Sequence, residues 1–189
     1  MSNKIDVNYK SYSRLEPGSK IVGEHLDPIA IGFKPLSWDD TCKIHQCENV
    51  TFDSFYVVGG REDCVDGANR NRGNALSNFT CLPKGKYVLT WKGDSRNNQF
   101  DDWFIVGKPK VCDIEIGNWA HVDQGDPTGN VFRRWSRIGG EPISYCYRFG
   151  CKPKFEGMKV RHLWWRSIGI TVYWHVKNLL FKASKGKIK

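Results

Sequence analysis

Asp63 and Asp66 are the residues whose type and spacing come closest to doing chemistry. They lie three positions apart in Glu62-Asp63-Cys64-Val65-Asp66-Gly67. Paired carboxylates perform glycoside hydrolysis, one as the acid and the other as base or nucleophile. The plainer reading carries more weight: short acidic side chains hold turns by bonding backbone. Asp39, Asp40, Asp101, Asp102, Asp113 and Glu115 supply the oxygens that a hard cation wants. Their places along the chain differ, so a solvated face is expected rather than a metal site. The seven cysteines, at 42, 47, 64, 81, 112, 146 and 151, are odd in number and irregular in spacing, which is no disulfide framework. Cys42/Cys47 and Cys146/Cys151 stand at the upper limit of zinc-knuckle spacing, and the expectation for them is burial as small hydrophobes. Cys42 and His45 lack a third group to orient a nucleophile. The sequence therefore assigns no catalytic residue, metal or cofactor, and keeps Asp63 and Asp66 as the alternative acids.

The elements that would position these groups follow from composition and repetition. The 189 residues are 40% apolar and 13% aromatic, enough for one cored domain and too much for disorder. Nineteen Gly and only two Met favour many turns and short strands over a helical bundle. Short β-branched and aromatic runs recur between Gly, Asn and Asp: Asn49-Val-Thr-Phe52, Phe55-Tyr-Val-Val58, Asn78-Phe79-Thr-Cys-Leu82, Tyr87-Val-Leu-Thr-Trp91, Trp103-Phe-Ile-Val106 and Val111 to Ile116. Units of about 21–33 residues built this way cannot bury a face alone and must stack. The expected fold is all-β, a short parallel solenoid closed by a C-terminal strand and helix. Phe52, Phe79 and Phe100, with Val65, Leu89, Ile114 and Ile116, should point inward in columns, and Gly67, Gly93 and Gly117 should close successive units. A β-sandwich or jelly roll is the second choice, weakened because Asp66-Gly67 is the only well-placed hairpin dipeptide.

Asn49-Val-Thr-Phe52, Glu62-Asp-Cys-Val-Asp66-Gly67, Val88-Leu-Thr-Trp-Lys92-Gly93-Asp-Ser95 and Asn98-Gln-Phe100 resemble the turns of right-handed parallel β-helices of the pectin-lyase type. The resemblance covers about residues 27–150. It implies the fold, and a membership that runs from polysaccharide lyases and polygalacturonases to phage tailspikes and virion components. Fold alone does not choose among these. The carbohydrate-active members imply Asp63 and Asp66 as the acids, with His121 and Arg133 or Arg134 as distant helpers. The Gly-His-Gly and Arg-x-Lys runs of the polygalacturonases are absent, and the chain is short for a substrate groove.

The boundaries expected are an N-terminal arm over 1–26, a β-helix over 27–158, and an aromatic segment with a basic tail over 159–189. Ile168, Ile170, Val172 and Trp174 alternate as a strand, whereas Val172, Val176, Leu179 and Leu180 share a helical face, so a strand followed by a helix from about Trp174 to Ala183 is predicted. Trp164, Trp165, Trp174 and Phe181 exceed what a cap needs and are the expected partner-binding residues. Arg166, His175 and Lys177 interrupt the segment, so it should not span a membrane, and no membrane partner is expected. Residues 1–20 lack the apolar core of a signal peptide, so synthesis in a host cytoplasm is expected, with Asn49-Val-Thr51 and Asn78-Phe-Thr80 as chance sequons. The net charge of +9 suits nucleic acid, with Arg70, Arg72, Arg133, Arg134, Arg137 and Arg161 as basic loops. The aromatics lie in strand runs rather than among those arginines, so nucleic acid is not the expected partner. The function expected is a non-enzymatic structural protein of a virus (phage) particle, such as a capsid decoration or tail component. It would be located in the virion as a homo-oligomer with other virion proteins. The alternative is a carbohydrate-active or carbohydrate-binding β-helix with a polysaccharide partner.

Overall fold

The computed structural model describes residues 10–27, 40–117 and 125–186. Its strands come in triplets, one strand for each of three sheets. The first triplet is β1 (Lys10–Ser13), β2 (Lys20–Val22) and β3 (His25–Leu26). The second is β4 (Cys42–His45), β5 (Thr51–Asp53) and β6 (Tyr56–Val58). The third is β7 (Asp63–Ala68), β8 (Ala75–Ser77) and β9 (Thr80–Leu82). The fourth is β10 (Tyr87–Trp91), β11 (Gln99–Asp101) and β12 (Phe104–Ile105). The fifth is β13 (Cys112–Ile116), β14 (Val131–Arg133) and β15 (Ser136–Arg137). β16 (Ile143–Tyr147) and β17 (Lys154–Glu156) follow, then β18 (Val160–His162) and the helix α1 (Trp164–Gly186). Sheet A runs β1-β4-β7-β10-β13-β16-β18, sheet B runs β2-β5-β8-β11-β14-β17, and sheet C runs β3-β6-β9-β12-β15. Neighbouring strands are parallel in all three. One buried apolar cluster draws on all of them.

The N-terminal boundary differs from the expected one. Residues 10–26, assigned to an arm, instead supply a strand to each sheet, with Lys10 opposite Cys42, Lys20 opposite Thr51 and His25 opposite Tyr56. Buried Tyr12 and Leu26 give the segment its inward contacts. The spacing of its apolar residues is too loose to declare this without the partner strands.

Phe52, Phe79, Phe100, Val65, Leu89, Ile114 and Ile116 are all buried, as expected. Their columns are different, however. Phe52, Leu76, Phe100 and Phe132 align on sheet B. Phe79 belongs to a second column, in which Phe55, Phe79, Trp103 and Trp135 stack with ring centroids 4.7, 4.4 and 4.3 Å apart. The repeat that unites them is 24 residues, as in the Asn74–Val50 and Asn98–Asn74 contacts, and lengthens to 32 at Asn130. In sheet B, β5, β8, β11 and β14 each lie between two left-handed residues. Asn49, Gly73, Asn97 and Gly129 precede them, and Ser54, Asn78, Asp102 and Arg134 follow them, all at positive φ. Gly and Asn enter that conformation most readily, which is why they mark the corners. Gly67, Gly93 and Gly117 do not form a column either, because Gly67 pairs with Trp91 and Trp91 with Ile116. A Cβ on Gly67 would lie 1.9 Å from the Trp91 ring, so the missing side chain makes room for the indole.

A ladder of buried asparagines ties the corners together. Asn74 Oδ1 accepts from the Val50 N–H at 2.9 Å, Asn98 Oδ1 from the Asn74 N–H at 3.0 Å, and Asn130 Oδ1 from the Asn98 N–H at 3.0 Å. Their Nδ2 groups donate to the Cys47, Asn71 and Ser95 carbonyls. The corner backbone cannot use the sheet ladder, so amide side chains satisfy it, as a buried polar group requires.

The predicted strand at Ile168 to Trp174 is helix instead, since α1 begins at Trp164. Past β18, the edge of β16 still presents N–H groups. The Ser167 hydroxyl accepts from the Tyr147 N–H at 3.0 Å, and Thr171 Oγ1 from the Phe149 N–H at 2.9 Å. Two hydroxyls four residues apart can do this only from one helix face, and buried Ile170 lies between them. This tertiary use of the segment overrides its β-branched alternation.

Candidate functional site

Asp63 and Asp66 are brought together on the outer side of β7. A regular strand would point residues three apart to opposite faces. Here Cys64 and Val65 both enter the core, as do Val88 and Leu89 beside them, and that break in alternation turns both aspartates outward. Thr90 lies between them on β10. Its Oγ1 is 2.5 Å from Asp63 Oδ2 and 2.8 Å from Asp66 Oδ1. A hydroxyl carries one proton, so it can donate to only one of the two. The other carboxyl must be protonated and donate to the hydroxyl.

The surroundings decide which. Burial, followed by repulsion from Asp40, pushes the Asp63 carboxyl up to about 8. Burial alone would raise Asp66 too, but the His45 imidazole 3.6 Å away, the Lys92 charge and the Thr90 hydroxyl outweigh it and hold Asp66 below the usual carboxylate range. Lys92 Nζ is 2.8 Å from Asp66 Oδ1. At neutral pH the protonated Asp63 therefore donates to Thr90, and Thr90 donates to the Asp66 carboxylate. Asp40, raised to about 6 by burial and by Asp66, completes a trio of carboxylates whose ligand oxygens lie within 4.8 Å of one another. Lys43, 3.4 Å from Asp40, and Lys92 neutralise the trio from within the protein. Asp63 and Asp66 are only 3% and 6% exposed. A sugar ring has no approach to them in this arrangement: Asp63 Oδ2 and Asp66 Oδ1 meet Thr90 and Lys92, and Asp63 Oδ1 is buried without a hydrogen-bond partner.

The other expected groups are dispersed. Asp101 meets Arg133, and Asp102 meets Arg134 in a two-pronged pair, so these arginines are far from free helpers. Asp113 pairs with Arg137 and accepts from the Ser144 N–H and hydroxyl at 2.7 and 2.6 Å. Asp39 and His121 lie outside the described residues. All seven cysteines are buried free thiols. Cys42/Cys47 and Cys146/Cys151 do not converge, and Cys146 instead meets Cys112 with sulfurs 3.4 Å apart. Glu115 joins these two, giving three donors where a structural zinc takes four. Arg166 stands 3.7 Å from the Glu115 carboxylate and 2.9 Å from the Tyr87 hydroxyl, which fills that side of the cluster.

The partner-binding candidates divide between two sides of α1. Trp164 and Trp165 are 62% and 59% exposed. Trp174 and Phe181 are half-buried, with the Arg148 guanidinium 4.1 Å above the Trp174 ring. Sequence reasoning based on aromatic density passed over Ile168, Val176, Leu179 and Leu180, which the helix exposes beside Trp165. The signal for them was the helical spacing already visible at Val172, Val176 and Leu179. Among the described residues, no helix is long and apolar enough to cross a membrane.

No family model, curated protein or solved structure matches this chain.

Proposed function

We propose that the three sheets are the faces of a right-handed parallel β-helix of the pectin-lyase-like kind, and that the protein is a non-enzymatic structural component of a virus particle, attached through α1. Regular rotation of the chain through three parallel sheets supports the β-helix. The observation that carries the function is a division of labour. The acid pair is buried and held from within by Thr90 and Lys92, while the large exposed apolar surface belongs to the helix that caps sheet A. A capsid decoration or tail component uses such a body as a rigid spacer and such a helix as its foot. The test is mass spectrometry of purified particles produced by the encoding genome, with and without Val172→Glu/Leu179→Glu. The chain should be present as wild type and lost as the double variant; its absence from the particles refutes the reading.

One observation favours a carbohydrate-active protein. Two neighbouring carboxyls have their proton affinities driven apart, which is how one fold provides both an acid and a base. Release of reducing ends or unsaturated products from pectins or bacterial polysaccharides, abolished by Asp63→Asn, would establish that reading in place of the first.

A further inference from the structure

The outer face of α1 has a composition that selects its occupant. Trp165, Ile168, Val172, Val176, Leu179 and Leu180 recur at helical spacing and are 40–68% exposed. Gly169, Tyr173 and Ala183 fill the positions between them, so no charged side chain interrupts the strip. The opposite face is held by Ser167, Ile170, Thr171 and Trp174 against the end of sheet A. The apolar strip is therefore directed away from the body along a helix of 23 residues, about 35 Å long.

Charge is distributed just as unevenly. Residues 157–189 contain eight Lys and Arg and no Asp or Glu, so they account for eight of the nine net charges and residues 1–156 for one (9 − 8 = 1). A second copy seated on this face would bring the same charge and be repelled. An anionic surface complements it. A protein surface would need a shaped groove and acidic groups placed to match. A bilayer needs only what is present here: a continuous apolar strip, Trp and Tyr at the interface, and basic residues beside it. Arg166 and Lys177 stand at the edge of the strip, and the Lys177 ammonium lies 5.0 Å from the Tyr173 ring centroid.

We propose that α1 is an interfacial helix that seats the protein on an anionic lipid bilayer. The apolar strip lies at the boundary of headgroups and acyl chains, and the Ser167–Thr171 face holds the sheets above the surface. This deepens, and rests on, the reading of α1 as the attachment element. The charges that forbid spanning suit a helix lying in the plane of the interface. The proposal departs from the expectation of no membrane partner, which rests on the cost of charge at a bilayer centre.

The experiment is flotation of the purified full chain with vesicles of phosphatidylcholine alone, or with about one quarter phosphatidylglycerol, at low and moderate salt. The chain should partition onto anionic vesicles at least about tenfold over neutral ones, with tryptophan emission shifted to the blue, and salt should weaken the binding. Val172→Glu/Leu179→Glu alters only exposed side chains, so circular dichroism and melting should stay unchanged while partitioning falls about tenfold or more. A folded wild-type chain that stays off anionic vesicles overturns the proposal, as does flotation indifferent to the double substitution. A dimer split by the double substitution would make a second copy the occupant and overturn it equally. If the chain ignores vesicles yet is found in particles through α1, the occupant is a protein of the particle. The lipid proposal then fails while the particle reading stands.

Discussion

Replacing Asp63 by Asn tests the proton placement at the acid trio. The folded chain holds a proton on Asp63 up to about pH 8, whereas the unfolded chain releases it near the ordinary Asp value of about 4. A carboxyl whose folded pKa is raised binds more protons folded than unfolded across that window. Stability must then fall as pH rises, by at most about 1.4 kcal/mol per unit. Between pH 5 and 8 the unfolded chain has already lost the proton and the folded chain is losing it, so the wild type should lose on the order of 3 kcal/mol. Asp40, raised to about 6, adds to the loss at the lower end. Asp66 is depressed, so its contribution is complete above the unfolded Asp value and constant here; Lys92 is raised, so its own is lost only above the ordinary Lys value. In Asp63→Asn the amide donates to Thr90 Oγ1 at every pH. The variant should match wild type near pH 5, exceed it by a few kcal/mol at pH 8, and show a shallower pH slope. Urea unfolding followed by circular dichroism at a series of pH values measures this. Wild-type stability that is flat or rising from pH 5 to 8, with a variant weaker at pH 8, would refute the assignment of the proton to Asp63.

Three further single substitutions and one double substitution probe the frame. Asn98→Ala leaves the Asn74 N–H and the Asn71 carbonyl buried without partners, at about 1–3 kcal/mol each, and an unfolding shift below 1 kcal/mol in total would show that water replaces the amide. Phe79→Ala removes the second ring of the Phe55–Trp135 stack and should cost about 3–5 kcal/mol in the same assay, a surface-like loss being the contrary result. The Arg137–Asp113 pair is 6% and 0% exposed, so Asp113→Ala should cost about 3–5 kcal/mol by leaving the buried guanidinium only the exposed Glu141 carboxylate 3.9 Å away. Asp113→Val/Arg137→Ile installs the residue types found at Val88 and Ile105, the equivalent positions of the preceding triplet, and should cost far less than the single change; equal losses would show that the two do not act as a pair.

The repetition was readable because its short apolar runs and turn residues recur where only stacked strands can use them. Its phase was not, for a reason visible at Phe52 and Phe79. Both are buried aromatics, and three residues separate each column from the next, so a count of 27 and one of 24 look equally regular until Leu76 is recognised as the counterpart of Phe52. The corner residues held the phase. Asn49, Gly73, Asn97 and Gly129 each sit three before an inward position, and their shared demand for positive φ was hidden because two amino-acid types meet it. The helix was misplaced because its inward face is polar where it matters: Ser167 and Thr171 serve as hydrogen-bond acceptors for a strand edge, and nothing local announces such a role.

At the acid trio the sequence supplied the residues but not their relation. Alternation by two would have put Asp63 inside whenever Asp66 was outside. The paired entry of Cys64 and Val65 into the core cancels that rule at one corner, and the same irregularity at Val88 and Leu89 keeps the neighbouring strand in step. The consequence is chemical. Three carboxylates are forced onto one buried patch, where Lys92 and Lys43 compensate them only if one keeps its proton, and Thr90 is placed to relay it. A pair so enclosed is better suited to fixing the register of β7 against β10 than to meeting a substrate.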